Sequence, residues 1–96
     1  MPAIHYTVRW PDARETCCFS PSLVIQDLLA SGTDYTVPDF MQRVREATAI
    51  ANERVHAKFG FFCSRANDQL AQLEAMQAPF VHDPDAQVRV LAFSPA

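Results

Sequence analysis

The sequence predicts an α+β fold: a three-stranded, mainly antiparallel sheet with three helices on one face, in the order β-β-α-α-α-β. Three observations carry this. Residues 4–10 alternate in polarity, with Ile4, Tyr6, Val8 and Trp10 on one side and His5, Thr7 and Arg9 on the other, which is the signature of a half-buried strand. From Phe40 onward, apolar residues recur at helical spacing. Near the C-terminal end, Gln-Val-Arg-Val-Leu-Ala-Phe at 87–93 reads as another strand.

The elements follow in chain order. Pro11 and Asp12 suit the middle of a turn, so residues 15–20 return as a second strand. If Trp10 pairs with Ala13, Tyr6 lies opposite Cys17 and Ile4 opposite Phe19. Cys17 and Phe19 then face the core, and Cys18 sits by His5 on the outer face. A longer turn swaps the two faces, because side chains alternate with a period of two. Ser20-Pro21 reads as an N-cap with proline at the first helical position, opening a short helix through Leu23, Val24 and Leu28 that stops near Gly32.

The second helix has the clearest start. Thr36-Val37-Pro38-Asp39 has capping-box spacing, with Asp in place of Glu or Gln, and Tyr35 and Phe40 can form a hydrophobic staple. Phe40, Val44, Ala47, Ala51 and Val55 make one apolar stripe of about five turns, while Arg43, Arg45, Glu46, Glu53 and Arg54 lie mostly off it. Gly60 is placed to end the helix in a left-handed cap, with Phe61 folding back over the last turn. A third helix starts near Ser64, shows Ala66, Leu70, Leu73 and Met76 on one face, and stops at Pro79. Residues 81–86 form a loop. The last strand is expected beside the first, since these two are the most apolar.

Length and composition bound the rest. The 96 residues, 49% of them hydrophobic, fit one domain over residues 1–96 with one modest core. Eleven acidic and eight basic residues give a net charge of −3 without runs of like charge, so the basic footprint of a nucleic-acid binder is absent. No segment approaches the roughly 20 apolar residues of a membrane span, and the first ten residues do not read as a signal peptide. Three cysteines, Cys17, Cys18 and Cys63, an odd count, point to reduced thiols in the cytoplasm.

No Gly-rich phosphate loop, G-x-S-x-G elbow, H-E-x-x-H or C-x-x-C occurs. His5, His56 and His82 are scattered and no pair has ligand spacing, so neither a metal nor a cofactor is expected. His82-Asp83-Pro84-Asp85 reads as a solvated loop. Two local features merit a chemical reading. Ser20 and Ser22 at a helix start, with Arg9 and Arg14 on the hairpin and Arg65 further on, could hold an anion, or could simply cap a helix beside solvated arginines. Cys63, at the start of the third helix and two residues before Arg65, is the one candidate catalytic thiol, as nucleophile or redox sensor. It has no local histidine base, and burial against Phe61 and Phe62 would raise its pKa, so the expectation is an inert thiol and a protein without catalytic activity. Phe59, Phe61 and Phe62 are expected to close the end of the helical hairpin.

Three segments, Arg9-Trp10-Pro11-Asp12, Cys18-Phe19-Ser20-Pro21-Ser22-Leu23-Val24 and Lys58-Phe59-Gly60-Phe61 with Cys63-Ser64-Arg65-Ala66, together with Asp39-Phe40 and Glu53-Arg54-Val55 between them, resemble a family of small bacterial proteins named for the nitrogen-starvation response. The resemblance runs from about residue 4 to residue 93 and rests on the order and spacing of these pieces. It departs from the family at Ala13, where glycine follows Pro-Asp. It implies a place in gene clusters that also encode a nitrilase, a radical-SAM protein, an acetyltransferase and a flavoprotein, linked to nitrile or cyanide assimilation, and it carries no catalytic motif. The expectation is therefore a cytoplasmic accessory protein that binds a protein of such a cluster, or itself as a homodimer, since a three-stranded sheet leaves its edges unpaired. A thiol enzyme at Cys63 and a binder of a small anionic metabolite at Ser20–Ser22 are the competing readings.

Overall fold

The computed structural model describes residues 3–60 and 64–95. Strands β1 (Ile4–Arg9) and β2 (Glu15–Ser20) form the first hairpin. A single helical turn α1 (Ile25–Leu28), strand β3 (Thr33–Thr36), helices α2 (Val37–Phe59) and α3 (Ser64–Gln77), a 3-10 turn (Ala78–Phe80) and strand β4 (Gln87–Pro95) follow. The sheet has four strands in the order β2-β1-β4-β3, every pair antiparallel. The last strand does lie beside the first.

The fourth strand corrects the expected three, and the order becomes β-β-α-β-α-α-β. Gly32, at φ +74°, does not end a long helix. It turns the chain back onto the sheet, its N–H donating to the Val90 carbonyl at 2.7 Å, and Thr33–Thr36 then pair with Gln87–Val90. A four-residue strand between two helical signals is too short to show its own periodicity. The helix expected at Ser20-Pro21 shrinks correspondingly. Ser20 stays in β2, where its hydroxyl donates to the Ser22 carbonyl at 2.7 Å, and Ser22 Oγ accepts from the Val24 N–H at 3.3 Å. The two serines therefore bend the chain instead of capping a helix.

The hairpin register is also corrected. Trp10 bonds Arg14, its N–H donating to that carbonyl at 2.8 Å, while the Ala13 N–H returns to the Trp10 carbonyl at 2.9 Å. The loop therefore has three residues and closes on Ala13 at φ +70°, the position where such loops want glycine. One extra loop residue swaps the faces. Tyr6 lies opposite Cys18 and His5 opposite Phe19. Cys18 is buried in the core, whereas Cys17 is exposed and Phe19 sits edge-on to His5 on the outer face, ring centres 6.0 Å apart. Ala13→Gly should relieve the left-handed strain and raise stability by about 1 kcal/mol. A urea midpoint that fails to rise, at unchanged slope, would contradict it.

Helix α2 forms as its sequence predicts. Thr36 Oγ1 accepts from the Asp39 N–H at 3.3 Å, and Gly60 caps the other end at φ +76°, its N–H donating to the His56 carbonyl at 2.8 Å. Phe40, Val44, Ala47 and Ala51 are buried. Leu73 of α3 is buried beside them, with Leu70 and Met76 partly covered. Arg45–Glu74 at 2.7 Å and Asn52–Asn67 at 2.8 Å tie the two helices together. All of this covers the face of the sheet that carries Ile4, Tyr6, Val8, Cys18, Val88 and Val90. Trp10 closes one end of the core, edge-on to Phe40 (5.7 Å between ring centres) and stacked on Phe80 (6.3 Å).

Candidate functional site

The residues of the anticipated anion site lie at opposite ends of β2. Arg9 reaches across the strands to Glu15 at 2.9 Å, and Arg14 pairs with Asp12 beside it. Hydrogen bonds from the Arg14 N–H and guanidinium, with its charge, outweigh desolvation and hold the Asp12 carboxyl below its ordinary pKa. Ser20 and Ser22 close the other end, about 20 Å away along an extended strand of this length, and both are buried. The arginine that does reach them is Arg54, which leaves α2 to donate to Ser22 Oγ at 3.1 Å. Nothing in the sequence places Arg54 beside Ser22, because the contact spans 32 residues. The Arg65 side chain is outside the described residues.

Cys63, Phe61 and Phe62 also lie outside the described residues. Among the described residues, the thiol that the fold places in the interior is Cys18. Burial raises its pKa, the neighbouring Cys17 adds to this, and a hydrogen bond to the Tyr6 hydroxyl offsets a part, leaving it at about 12. The Tyr6 phenol is pushed well above its ordinary value, first by burial and then by the same thiol. Next to them, Tyr6, Ser20, Thr48 and Gln69 border a cleft of about 10 Å³, which holds one water at most. Its polar groups are already engaged: Gln69 Oε1 accepts from the Phe19 N–H at 3.1 Å, and Thr48 Oγ1 donates to the Val44 carbonyl at 2.8 Å. This is a packed polar seam with no space for a substrate.

Native alkylation at pH 8 should therefore label Cys17 in minutes and spare Cys18, since only about one thiol in 10⁴ is ionised when the pKa lies four units above the pH. Equal labelling of the two cysteines would overturn the register. The linkage has a definite sign. Unfolded Cys18 ionises near pH 8.5 and folded Cys18 near 12, so its contribution is whole below pH 8.5 and is lost as pH rises towards 12. Tyr6 acts in the same direction above pH 10. The thermal midpoint should fall steadily through that window.

The histidines do not converge. His5 meets Phe19 on the outer face, and His82 precedes an exposed turn in which Asp83 Oδ1 accepts from the Asp85 N–H at 3.0 Å. Among the described residues, no group of three His, Cys, Asp or Glu side chains is placed to hold a metal ion, and no helix is long and apolar enough to cross a membrane.

What the fold does assemble is the second face of the sheet. Arg9 and Arg89 are register partners on β1 and β4. Glu15 of β2 flanks one, and Asp34 of β3 flanks the other at 3.4 Å. A row of charges, negative-positive-positive-negative, thus crosses all four strands and sums to zero. The next rows are small or aromatic: Cys17, Thr7 and Ala92, then Phe19, His5 and Ser94. All these side chains are exposed or half-buried. The sequence could not announce this row, because Arg9 and Arg89 become neighbours only when the last strand docks on the first.

Compared with known proteins, residues 5–93 match a family model described as nitrogen starvation-induced protein NitG. No curated protein and no solved structure matches the chain.

Proposed function

The chain belongs to the NitG family of nitrogen starvation-induced proteins, and from that premise we propose that it is a cytosolic accessory protein of a nitrile- or cyanide-assimilation gene cluster, acting by binding protein and catalysing nothing itself. The observation that carries this reading is the uncovered face of the sheet. Helices cover one side, while the other presents Thr7, Cys17, Phe19 and Ala92 behind a charge row that is already neutralised. A broad, flat surface with its charges internally paired suits a protein partner better than a small molecule, which needs a concave site.

The test is a tagged copy at native level in nitrogen-starved cells, cross-linked and purified, with bound proteins and bound metabolites both identified. A protein encoded in the same cluster should be recovered, and Cys17→Arg, which adds a charge to the exposed face, should release it without altering the melt. Recovery of a stoichiometric metabolite and no protein would overturn the proposal.

A further inference from the structure

The four-stranded sheet has three stretches of open edge, and two are blunted in the ways edges usually are. On β2, Glu15 is charged and the Phe19 N–H is capped by Gln69 Oε1 at 3.1 Å. Edge strand β3 is only four residues long and carries Asp34. The third stretch lies on β4. That strand has nine residues, but β3 pairs only with Gln87–Val90. Past a bulge at Leu91, Ala92-Phe93-Ser94-Pro95 continues beyond the end of β3, paired with β1 on one side and, among the described residues, with no strand on the other.

The ladder fixes which backbone groups face that open side. Trp10 and Arg14 are a hydrogen-bonded pair. Antiparallel pairs alternate between bonded and non-bonded, so Tyr6 and Cys18 also bond each other, which leaves His5 and Thr7 to bond β4. Their partners there are Ser94 and Ala92. The Phe93 N–H and C=O therefore point away from β1, into the open edge. Beside them runs a groove of about 280 Å³ formed by Ala3, Ile4, Leu23, Gln26, Phe93 and Pro95, none of them charged. Leu23 on its rim is 42% exposed, one of two large hydrophobic side chains so placed among the described residues.

We infer that this edge pairs with the same edge of a second copy, antiparallel and centred on Phe93, joining two sheets into one of eight strands. The inference goes beyond the protein-binding reading above and concerns a second surface, the edge of β4 instead of the outer face of the sheet. Several features select a second copy. A chain of net charge −3 meets its like here through a segment without charge, so the contact sets no like charges against each other, and a charged peptide would find no counter-charge. Pairing about a two-fold axis sets Phe93 against its own equivalent, an aromatic cross-strand pair that a sheet favours. Pro95, at the end of this stretch, can still accept through its carbonyl although it has no N–H to give. So short a paired stretch and one groove cover less than the roughly 800 Å² per partner of a standard interface, so the dimer is weak and depends on concentration.

Sedimentation equilibrium from about 5 to 500 µM, the range a contact of this size occupies, should show the mass rising from one chain towards two. Over the same range, the Phe93 amide should slow its hydrogen exchange about tenfold, while Ser94, already bonded to His5, should not change. Leu23→Glu leaves the fold intact and should keep the protein monomeric. Phe93→Lys should do the same, and Leu23→Glu decides the matter if Phe93→Lys unfolds. A wild type that stays monomeric throughout overturns the inference, as does a folded Leu23→Glu that associates as strongly as wild type. If a monomeric protein still retains a cluster-encoded partner, the self-pairing fails while the accessory reading stands.

Discussion

Replacing Val44 by aspartate should abolish the cooperative thermal transition near neutral pH. Val44 lies on the inner stripe of α2 and is 2% exposed, packed among Phe40, Ala47 and the sheet. The substitution deletes apolar packing worth about 2 kcal/mol and adds a carboxylate without a partner, which costs several kcal/mol more. A domain of this length has a total stability of about 5–14 kcal/mol, so most or all of it is consumed. The buried carboxyl would have a raised pKa in the folded state, so its penalty shrinks below that pKa and grows as pH rises through it. Partial recovery of helical signal near pH 4.5 should accompany the loss at pH 7. A variant that melts like the parent at pH 7 would mean that α2 does not pack by this stripe.

Trp10→Ala should come next, at about 3–5 kcal/mol. The indole is 1% exposed and wedged between Phe40 and Phe80, so its removal leaves a cavity that three separate elements would have to collapse to fill. Its Nε1–H donates to Thr16 Oγ1 at 3.1 Å, and that hydroxyl in turn donates to Met76 Sδ at 3.2 Å. Thr16→Val separates the two contributions, since losing the hydrogen bond alone should cost about 1 kcal/mol. The chain holds one tryptophan, so unfolding of the alanine variant must be followed by circular dichroism. A loss no greater than that of Thr16→Val would show that the indole contributes little packing.

Much of the fold was legible in residue order. Helix α2 was readable because both ends carry their own stop signals, Thr36 and Gly60, and because its apolar stripe is long enough to establish a period. The beginning of α3 and its stop before Pro79 were readable for the same local reason. Pairing of the last strand with the first followed from their shared apolarity. The nitrogen-starvation family was legible in the spacing of the Trp10, Ser20–Val24 and Gly60 segments, and the family match over residues 5–93 agrees.

The hairpin register and the fourth strand each turned on a single residue whose conformation the wider structure selects. Ala13 adopts a left-handed φ that alanine resists, and this lengthens the hairpin loop by one and exchanges Cys17 with Cys18 between face and core. Gly32 can end a helix or begin a strand. It begins one here because the edge of β4 was available to receive Thr33–Thr36. Arg9 and Arg14 lie at the far end of β2 from Ser20 and Ser22, because the strand between them is extended.

The sequence by itself determined the family, the long helix and its buried stripe, the alternation of the first strand and the absence of any catalytic motif. These depend on local periodicity, capping and composition, which act over a few turns of chain. Only the tertiary structure decided the register of the first hairpin, the fourth strand, the charge row joining Glu15, Arg9, Arg89 and Asp34, and the open edge at Phe93. Each of those is a contact between segments distant in the chain or a choice between two local conformations of similar energy, and such choices are made by packing against the rest of the molecule.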